Sequence, residues 1–373
     1  STPAPEAPLP PADVRTEPLP PEIHGILTRF DDPLVEVLEQ GGISLLRTSW
    51  LLAQPDDYRL QNRQELEALE AAGASPSPLL HPEEAVALVR KGTRSAGSAS
   101  HGWLMPGHPD PACTRVKLLR RELRKRPYIE ATFFDYASLY QGQRNEAQQA
   151  AFLRALNVMG DLYASAIGTT VLQIKEIPKR PKEYDGALAL FGLKVRDEVS
   201  IRLAFAEYGT VVSCKVGGHP EAKVFFSTHE AALNAKESAS KLVHICGGID
   251  TLYNERSYDG RSGEVERDND DGRGWCTMES AASSELLMRL KAYPKMQEAL
   301  DNLGRPKLLL LSSSESTVEV DLQDSELATR VEEVTLRIER AHFIGRGDKP
   351  VVIQTYRDYV SRIATSLTQT LAF

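Results

Sequence analysis

Apolar positions follow helical spacing in the first part of the chain and then alternate between strand and helix patterns. Residues 23–93 are mostly helical in pattern, with a break at 73–78, which predicts a helical N-terminal arm. Beyond it, strands are predicted at the small-residue segment 95–101 and at 128–136, 167–177 and 307–311, which are apolar. Helical patterns follow at 115–125, 145–166, 275–291, 325–340 and 356–371. Strands that alternate with helices predict an α/β fold with a parallel sheet covered on both faces.

Three candidate polar or aromatic side chains lie near the ends of the predicted strands. His101 is the last residue of the first strand, Trp103 comes shortly after it, and Asp135 lies near the end of the second. In parallel sheets, functional groups gather at the carboxyl ends of the strands. We therefore expect these residues at one edge of the sheet, together with the loop that leads to Trp275. For Asp135 two interpretations stay open: it binds a ribose hydroxyl, or it caps the next helix.

The third strand and the helix at Trp275 are separated by about a hundred residues, which is too long for an ordinary loop. Within this stretch, strands are predicted at 187–191, 209–216, 222–226 and 243–245, with helices at 198–208 and 230–242. The order βαββαβ is that of a ferredoxin-like unit. The sequence thus predicts a discontinuous α/β domain, 94–180 and 248–373, that is interrupted by an insert at 185–247.

The turn at residues 274–280 carries the strongest catalytic candidate. A helical apolar stripe is predicted at Trp275, Met278, Ala282, Leu286 and Leu290. Glu279 comes four residues after Trp275, so its carboxylate is expected on this stripe beside a large aromatic side chain. A carboxylate held against apolar surface can have a raised pKa and change its chemical role. Glu279 is therefore the best candidate for a catalytic residue.

The insert resembles an RNA-recognition motif (RRM) along its length. Residues 205–212, Phe-Ala-Glu-Tyr-Gly-Thr-Val-Val, look like the helix-to-strand turn of that family, and 222–232 resemble its third strand entering the second helix. The family stacks RNA bases on strand aromatics. Ala189, Glu221 and Lys223 stand at those positions here, and each lost stack removes ~1–3 kcal/mol. The insert is expected to contact protein, with RNA binding as a weaker alternative.

With the insert set aside, the α/β domain resembles a TIR (Toll/interleukin-receptor-like) domain, a flavodoxin-like parallel sheet. Residues 275–279, Trp-Cys-Thr-Met-Glu, look like the Trp-Cys-x-x-Glu of that family at the start of a helix. Segments 100–110, 134–139 and 273–276 together resemble TIR-like proteins of algae and other protists. The resemblance to enzymatic members implies that Glu279 cleaves the nicotinamide–ribose bond of NAD. It also implies a nucleotide pocket shaped by Trp103, Asp135 and Trp275.

Composition and charge narrow the classes of function. The 373 residues are 41% hydrophobic and 26% charged, and the net charge of -8 argues against a general nucleic-acid binder. No apolar run approaches the ~18–20 residues of a membrane span, so a soluble protein is expected. Eight of the 23 prolines lie within residues 1–21, which predicts a disordered Pro-rich tail at 1–22.

Metal and thiol chemistry are not predicted. The four cysteines are far apart without a CxxC pair, which indicates neither a disulfide framework nor a zinc site and favours a reducing compartment. His101 and His108 flank a turn without further evident ligands, so structural hydrogen bonds are expected for them. Cys276 is either a thiolate at a helix start or a small core residue. The acidic stretch 264–271 lacks the spacing of a calcium loop and is expected to be solvated.

Three functions remain open. The primary prediction is a non-catalytic interaction protein, or a subunit of a larger assembly, that contacts protein partners through the insert and the N-terminal arm. The alternative is an NAD glycohydrolase that uses Glu279, with NAD as substrate and no required cofactor. The second alternative is RNA binding through the insert.

Overall fold

A computed structural model describes residues 18–260, 271–314, 317–320, 327–343 and 347–370. Its strands form two sheets. The main sheet contains β1 (Leu46–Arg47), β2 (Ala96–His101), β3 (Ala131–Phe133), β4 (Thr169–Ile174), β9 (Leu308–Leu310) and β10 (Val318–Glu319). The second sheet contains β5 (Ala187–Leu193), β6 (Val211–Val216), β7 (Ala222–Phe226) and β8 (Cys246–Thr251). The predicted α/β class with a parallel sheet is confirmed.

The main sheet has the strand order β1-β3-β2-β4-β9-β10. Its four inner strands are parallel, and the two edge strands β1 and β10 pair antiparallel to their neighbours. Ser98 of β2 stands opposite Phe133 of β3 on one side and Val171 of β4 on the other. The first parallel strand in the chain therefore lies at the centre of the sheet, between the second and the third.

Helices cover both faces of the main sheet. Those described outside the second sheet are α1 (Pro21–Arg29), α2 (Asp32–Glu39), α3 (Thr48–Ala53), α4 (Arg63–Ala71), α5 (Pro82–Arg90), α6 (Thr114–Lys125), α7 (Asp135–Ser138), α8 (Glu146–Asn157), α9 (Met159–Ala164), α12 (Gly274–Leu290), α13 (Pro294–Asp301), α14 (Leu327–Arg340) and α15 (Asp348–Thr370). One apolar core joins α2, α5, α9, α12, α14 and α15, and a second core on the other face joins α3, α4 and α6. Val171 and Leu172, neighbours in β4, contact opposite cores because strand side chains alternate between faces.

The predicted N-terminal arm contributes to both cores. Leu34 of α2 packs in the first core and Leu66 of α4 in the second. Between them, β1 extends the sheet by pairing with β3. Helix α1 begins at Pro21, inside the predicted tail, and residues 1–17 of that tail lie outside the described residues. The N-terminal segment therefore builds part of the α/β body.

Several predicted elements differ in length from those observed. The predicted strand 128–136 is only β3, because α7 begins at Asp135. The helix predicted at 145–166 is divided into α8 and α9 at Val158, whose φ of -112° is not helical. The apolar stripe predicted for α12 is also narrower than the surface that this helix buries. This helix is buried on most sides because it contacts α9, α14, α15 and β2.

The second sheet has the order β6-β7-β5-β8 with antiparallel pairing throughout. Helices α10 (Glu198–Phe205) and α11 (His229–Glu237) pack on one of its faces, so the chain order is βαββαβ. The final strand predicted at 243–245 is wrong, since β8 begins at Cys246. Its two glycines, Gly247 and Gly248, conceal the strand pattern in the sequence, and Ile245 packs under the helices instead.

Within the described part of the chain, no helix combines the length and apolar character needed to cross a membrane. All four cysteines are buried and carry free thiols. Most of the acidic stretch 264–271 lies outside the described residues, so the structure does not test the solvated loop that is expected there.

Candidate functional site

Glu279 is buried at the carboxyl end of the central strand β2. The residue is 7% exposed. Its carboxyl group accepts a hydrogen bond of 2.5 Å from Oγ of Ser100, the penultimate residue of β2. The hydroxyl of Ser100 also hydrogen-bonds the hydroxyl of the fully buried Tyr258. Tyr258 belongs to the segment that follows the second sheet, so this segment encloses the carboxyl group.

Burial raises the pKa of Glu279 to about 8. The hydrogen bond from Ser100 opposes this shift, while the negative charge of Asp135 adds to it. A carboxyl group with this pKa keeps its proton at neutral pH, because the apolar surroundings disfavour the charged form. Neutral Glu279 therefore has a proton to donate but no negative charge to stabilise a cation.

Cys276 lies close to this carboxyl group in the first turn of α12. It is 3% exposed, and burial together with the charge of Glu279 raises the pKa of its thiol well above the usual value. A thiolate is the reactive form of cysteine. The neutral buried thiol fits the interpretation of Cys276 as a core residue.

Asp135 forms a second polar cluster with His101 and Trp103. Its Oδ2 accepts a hydrogen bond of 2.5 Å from Nε1 of Trp103, and its Oδ1 lies 3.2 Å from Nε2 of His101. Burial raises the pKa of Asp135, but the contacts with His101, Trp103 and the backbone N–H of Tyr136 lower it below its usual range. Asp135 is therefore an ionised carboxylate at the edge where the sequence places it.

Trp275 lies apart from this cluster. Its half-buried indole packs against the core formed with α14 and α15, and Nε1 donates a hydrogen bond of 3.2 Å to Oδ2 of Asp348. Trp103 packs against the core on the opposite face of the sheet. The structure thus brings Trp103 and Asp135 together but directs Trp275 elsewhere. Trp103, Asp135 and Trp275 therefore do not form one pocket around Glu279, whose carboxyl group is hydrogen-bonded by Ser100.

Arg273 is a positioning residue that the sequence reasoning missed. Its guanidinium is buried and donates to the carbonyl oxygens of Trp103, Asn254 (3.0 Å) and Arg256 (2.9 Å from Nη2). A Cβ at Gly102 would lie 2.5 Å from Nε of Arg273, so only glycine fits there. Arg273 thus joins the loop after β2, the segment after β8 and the start of α12.

The loop after β2 is held by further hydrogen bonds. Asp110 accepts bonds of 2.9 Å from the backbone N–H groups of Thr114, Arg115 and Val116, which satisfies the first turn of α6. His108 accepts from the backbone N–H of Asp110 at 3.0 Å, and its Nε2 lies 3.1 Å from the carbonyl of Leu60. These are the structural hydrogen bonds that the sequence predicts for His108. In the described ranges, no group of three or more His, Cys, Asp or Glu side chains could hold a metal ion.

The helix-free face of the second sheet packs against this loop. Ala189 of β5 is fully buried in a small apolar core that also contains Leu104, Met105 and Tyr253. Glu221, at the second predicted stacking position, accepts bonds from the backbone N–H of Gly192 at 2.6 Å. The face on which bases would stack is therefore covered by the α/β body around Ala189.

The opposite, outward side of the second sheet exposes apolar side chains. Val199 and Leu203 of α10 are 63% and 71% exposed, and Val212, at an irregularity in β6, is 60% exposed. A groove of about 750 Å³ runs beside them and is lined in part by Gly209 and Val211. We call this the insert groove.

No family model, no curated protein and no solved structure matches the chain. The function must therefore be inferred from the geometry. Two features then bear on function. One is the enclosed carboxyl group of Glu279, and the other is the insert groove.

Proposed function

We propose that the protein is a TIR-like interaction protein whose RRM-like insert contacts a protein partner. The order of the four parallel strands, second-first-third-fourth, supports a TIR-like domain because it matches the start of the flavodoxin-like order 2-1-3-4-5. The βαββαβ order of 187–251 supports a ferredoxin-like, RRM-like insert.

The observation that carries the proposal is the second apolar face of α10. Ile201 and Phe205 are fully buried against the second sheet, whereas Val199 and Leu203 on the same helix face solvent. A helix that packs through one face has no structural need for large aliphatic residues on the other. Exposed apolar surface beside a groove marks an interaction site. The insert groove is therefore the proposed contact surface.

The covered sheet face favours protein contact over RNA binding. An RRM stacks bases on its open sheet face. Here Ala189 on that face is buried against Leu104 and Met105, and the charged residues between 185 and 245 balance at seven acidic and seven basic. We therefore place the partner on the helix side, at α10 and β6.

A matched pair of variants tests the contact surface. Leu203→Glu introduces a charge into the insert groove, and Leu153→Glu introduces the same charge on α8, where Leu153 is 51% exposed. We expect proteins that co-purify with the tagged wild-type chain from its native extract to be retained by Leu153→Glu and lost by Leu203→Glu. Equal recovery with both variants, or no co-purifying protein with the wild type, rejects the proposal.

A second candidate function is NAD glycohydrolase activity at Glu279. It is supported by a titratable carboxyl group with a raised pKa at the carboxyl edge of a parallel sheet, which is a common setting for catalytic groups. Cleavage of the nicotinamide–ribose bond would need Glu279 as a carboxylate to stabilise an oxocarbenium-like centre, so the bound substrate must also lower the raised pKa of this group. Against it, Glu279 is enclosed by the Tyr258 segment, so a substrate must displace that segment.

Incubation with NAD decides this second candidate. Nicotinamide released by the wild type and not by Glu279→Gln supports catalysis at this residue. Equal release by both proteins, or release by neither, removes it and leaves the interaction proposal unaffected.

A further inference from the structure

A basic cavity of about 510 Å³ lies at the amino edge of the main sheet, opposite the edge that holds Glu279. It is enclosed by the end of α12, by α13 and by the chain that enters β9. The charged residues among those that line it are Arg94, Lys291, Arg305, Lys307, Asp301 and Glu319. Four cations against two carboxylates give this lining a net charge of +2, in a chain whose net charge is -8.

Two of the cations are deeply buried. Arg94 and Lys307 are each 5% exposed. Nε of Arg94 donates to the carbonyl of Ala166 at 2.9 Å, and Nζ of Lys307 donates to the carbonyl and to Oγ1 of Thr169 at 3.1 and 2.9 Å. These acceptors are neutral. Among the described residues, neither cation forms an ion pair, although burying an unpaired charge is costly.

Burial changes the pKa of both cations. Burial lowers the pKa of Arg94 to about 10. Burial and the charge of Arg94 lower the pKa of Lys307 well below its usual value, and the carboxyl group of Asp31 only partly offsets this. Two neighbouring buried cations of this kind would be stabilised by an anion between them.

The backbone of Arg94 is also unusual. Its φ of 53° lies in the left-handed region, which is uncommon for residues other than glycine. Hydrogen bonds hold it there, from its backbone N–H to the carbonyl of Ile167 and from its side chain to Ala166. Strained residues of this kind persist where the surrounding structure determines them, and they cluster at binding sites.

We propose that this cavity, the amino-edge pocket, binds a small organic molecule through a phosphate group contacted by Arg94, Lys291, Arg305 and Lys307. The net charge of the lining matches a phosphate dianion. Leu287, Leu300 and Leu308 supply apolar wall for the organic part. The volume falls within the ~300–1,000 Å³ of small-molecule sites. This proposal is independent of the interaction function, because the pocket and the insert groove share no residue.

The experiment is isothermal titration calorimetry of the full chain with three probes at equal ionic strength: phenyl phosphate, inorganic phosphate and benzoate. We expect saturable binding of phenyl phosphate, weaker binding of inorganic phosphate because it lacks the apolar part, and the weakest binding of benzoate because it carries a single charge. Absence of saturable binding of phenyl phosphate overturns the proposal, as does equal binding of benzoate.

Variants locate the binding at the pocket. Lys291 is exposed at the pocket rim, and Lys295 is an exposed lysine of α13 outside the lining. We expect Lys291→Gln to weaken phenyl phosphate binding about fivefold, the upper effect of one exposed ion pair, and Lys295→Gln to leave it unchanged. Arg305→Gln, checked for folding by circular dichroism, is expected to weaken it further. If wild type and Lys291→Gln bind phenyl phosphate with equal affinity, or if both lysine variants weaken binding equally, the molecule does not bind in the amino-edge pocket and the proposal is rejected.

Discussion

Helix α12 buries two glutamates, and the contrast between them shows how partners decide the role of a buried carboxyl group. Glu285 is fully buried and pairs with Arg289 at 2.8 Å and with Arg330 at 2.6 Å, while the hydroxyl of Tyr356 donates to it at 3.1 Å. Among the described residues, Glu279 accepts its hydrogen bond from a hydroxyl, that of Ser100 at 2.5 Å. Two guanidinium groups balance the charge of Glu285, whereas Glu279 is stabilised by keeping its proton.

The largest expected effect is at the paired glutamate. Glu285→Gln leaves Arg289 and Arg330 without their carboxylate in a buried site, which typically costs about 3–5 kcal/mol. We expect this loss in the free energy of unfolding measured by urea titration. The exposed Glu298→Gln on α13 serves as control and is expected to change little. A loss at Glu285 no larger than at Glu298 would contradict the paired-charge interpretation.

The pH dependence of stability tests the protonated glutamate. The folded pKa of Glu279 is about 8 and the usual value is 4.5, so between these values the folded chain binds more protons than the unfolded chain. The stabilisation is complete below pH 4.5 and is lost as pH rises toward 8. Relative to Glu279→Gln, the wild type should lose roughly 3 kcal/mol between pH 5 and pH 8.

The quantity to measure is the difference in the free energy of unfolding between wild type and Glu279→Gln at each pH. Asp31, whose pKa burial also raises, to about 7, is present in both and cancels. Parallel stability profiles of wild type and Glu279→Gln would show that Glu279 is ionised in the folded state.

Removal of the hydroxyl donor should have an intermediate effect. Ser100→Ala deletes the donor to Glu279 and the partner of Tyr258, and leaving buried polar groups unsatisfied costs about 1–3 kcal/mol. Ser98→Ala on the same strand is the matched control, since its hydroxyl makes only a long bond of 3.4 Å to Leu162. Equal destabilisation by the two serine variants in urea unfolding would show that the Ser100 hydrogen bonds contribute nothing specific.

The smallest effect is expected for Glu279→Gln below pH 4.5, where Glu279 is neutral in both the folded and the unfolded wild-type chain. An amide replaces a neutral carboxyl of nearly the same shape, so the loss should stay below about 1 kcal/mol. The same substitution at Glu285 should cost several times more. If urea unfolding gives the two glutamine variants equal stability, the contrast between the two glutamates fails.

Local pattern predicted much of the fold. Strands β4 and β9 and the insert elements up to β7 lie where apolar spacing predicts them, because side-chain periodicity is a property of short segments. Strand β2 lies where a run of small residues predicts it. Two-residue β1 has no such pattern, since it is a strand only through its pairing with β3. The glycines of β8 likewise carry no apolar signal, and its position follows from pairing with β5.

The candidate site was predictable in part. Trp103 and Asp135 meet because both follow parallel strands that end at one edge. Trp275 does not join them, because its orientation is decided by α15, which presents Asp348 to the indole. The role of Arg273 depends on three carbonyl groups from two other segments, so its own sequence neighbourhood could not reveal it.

By itself, the sequence determined the α/β class, a βαββαβ run between β4 and β9 and the candidacy of Glu279. Only the tertiary structure decided which groups surround that carboxyl group. Ser100, Tyr258 and Glu279 come from three distant segments, and their contacts exist only when β2, α12 and the segment after the second sheet are packed together. The charge of a buried group depends on its neighbours in space, and spacing along the chain does not specify them.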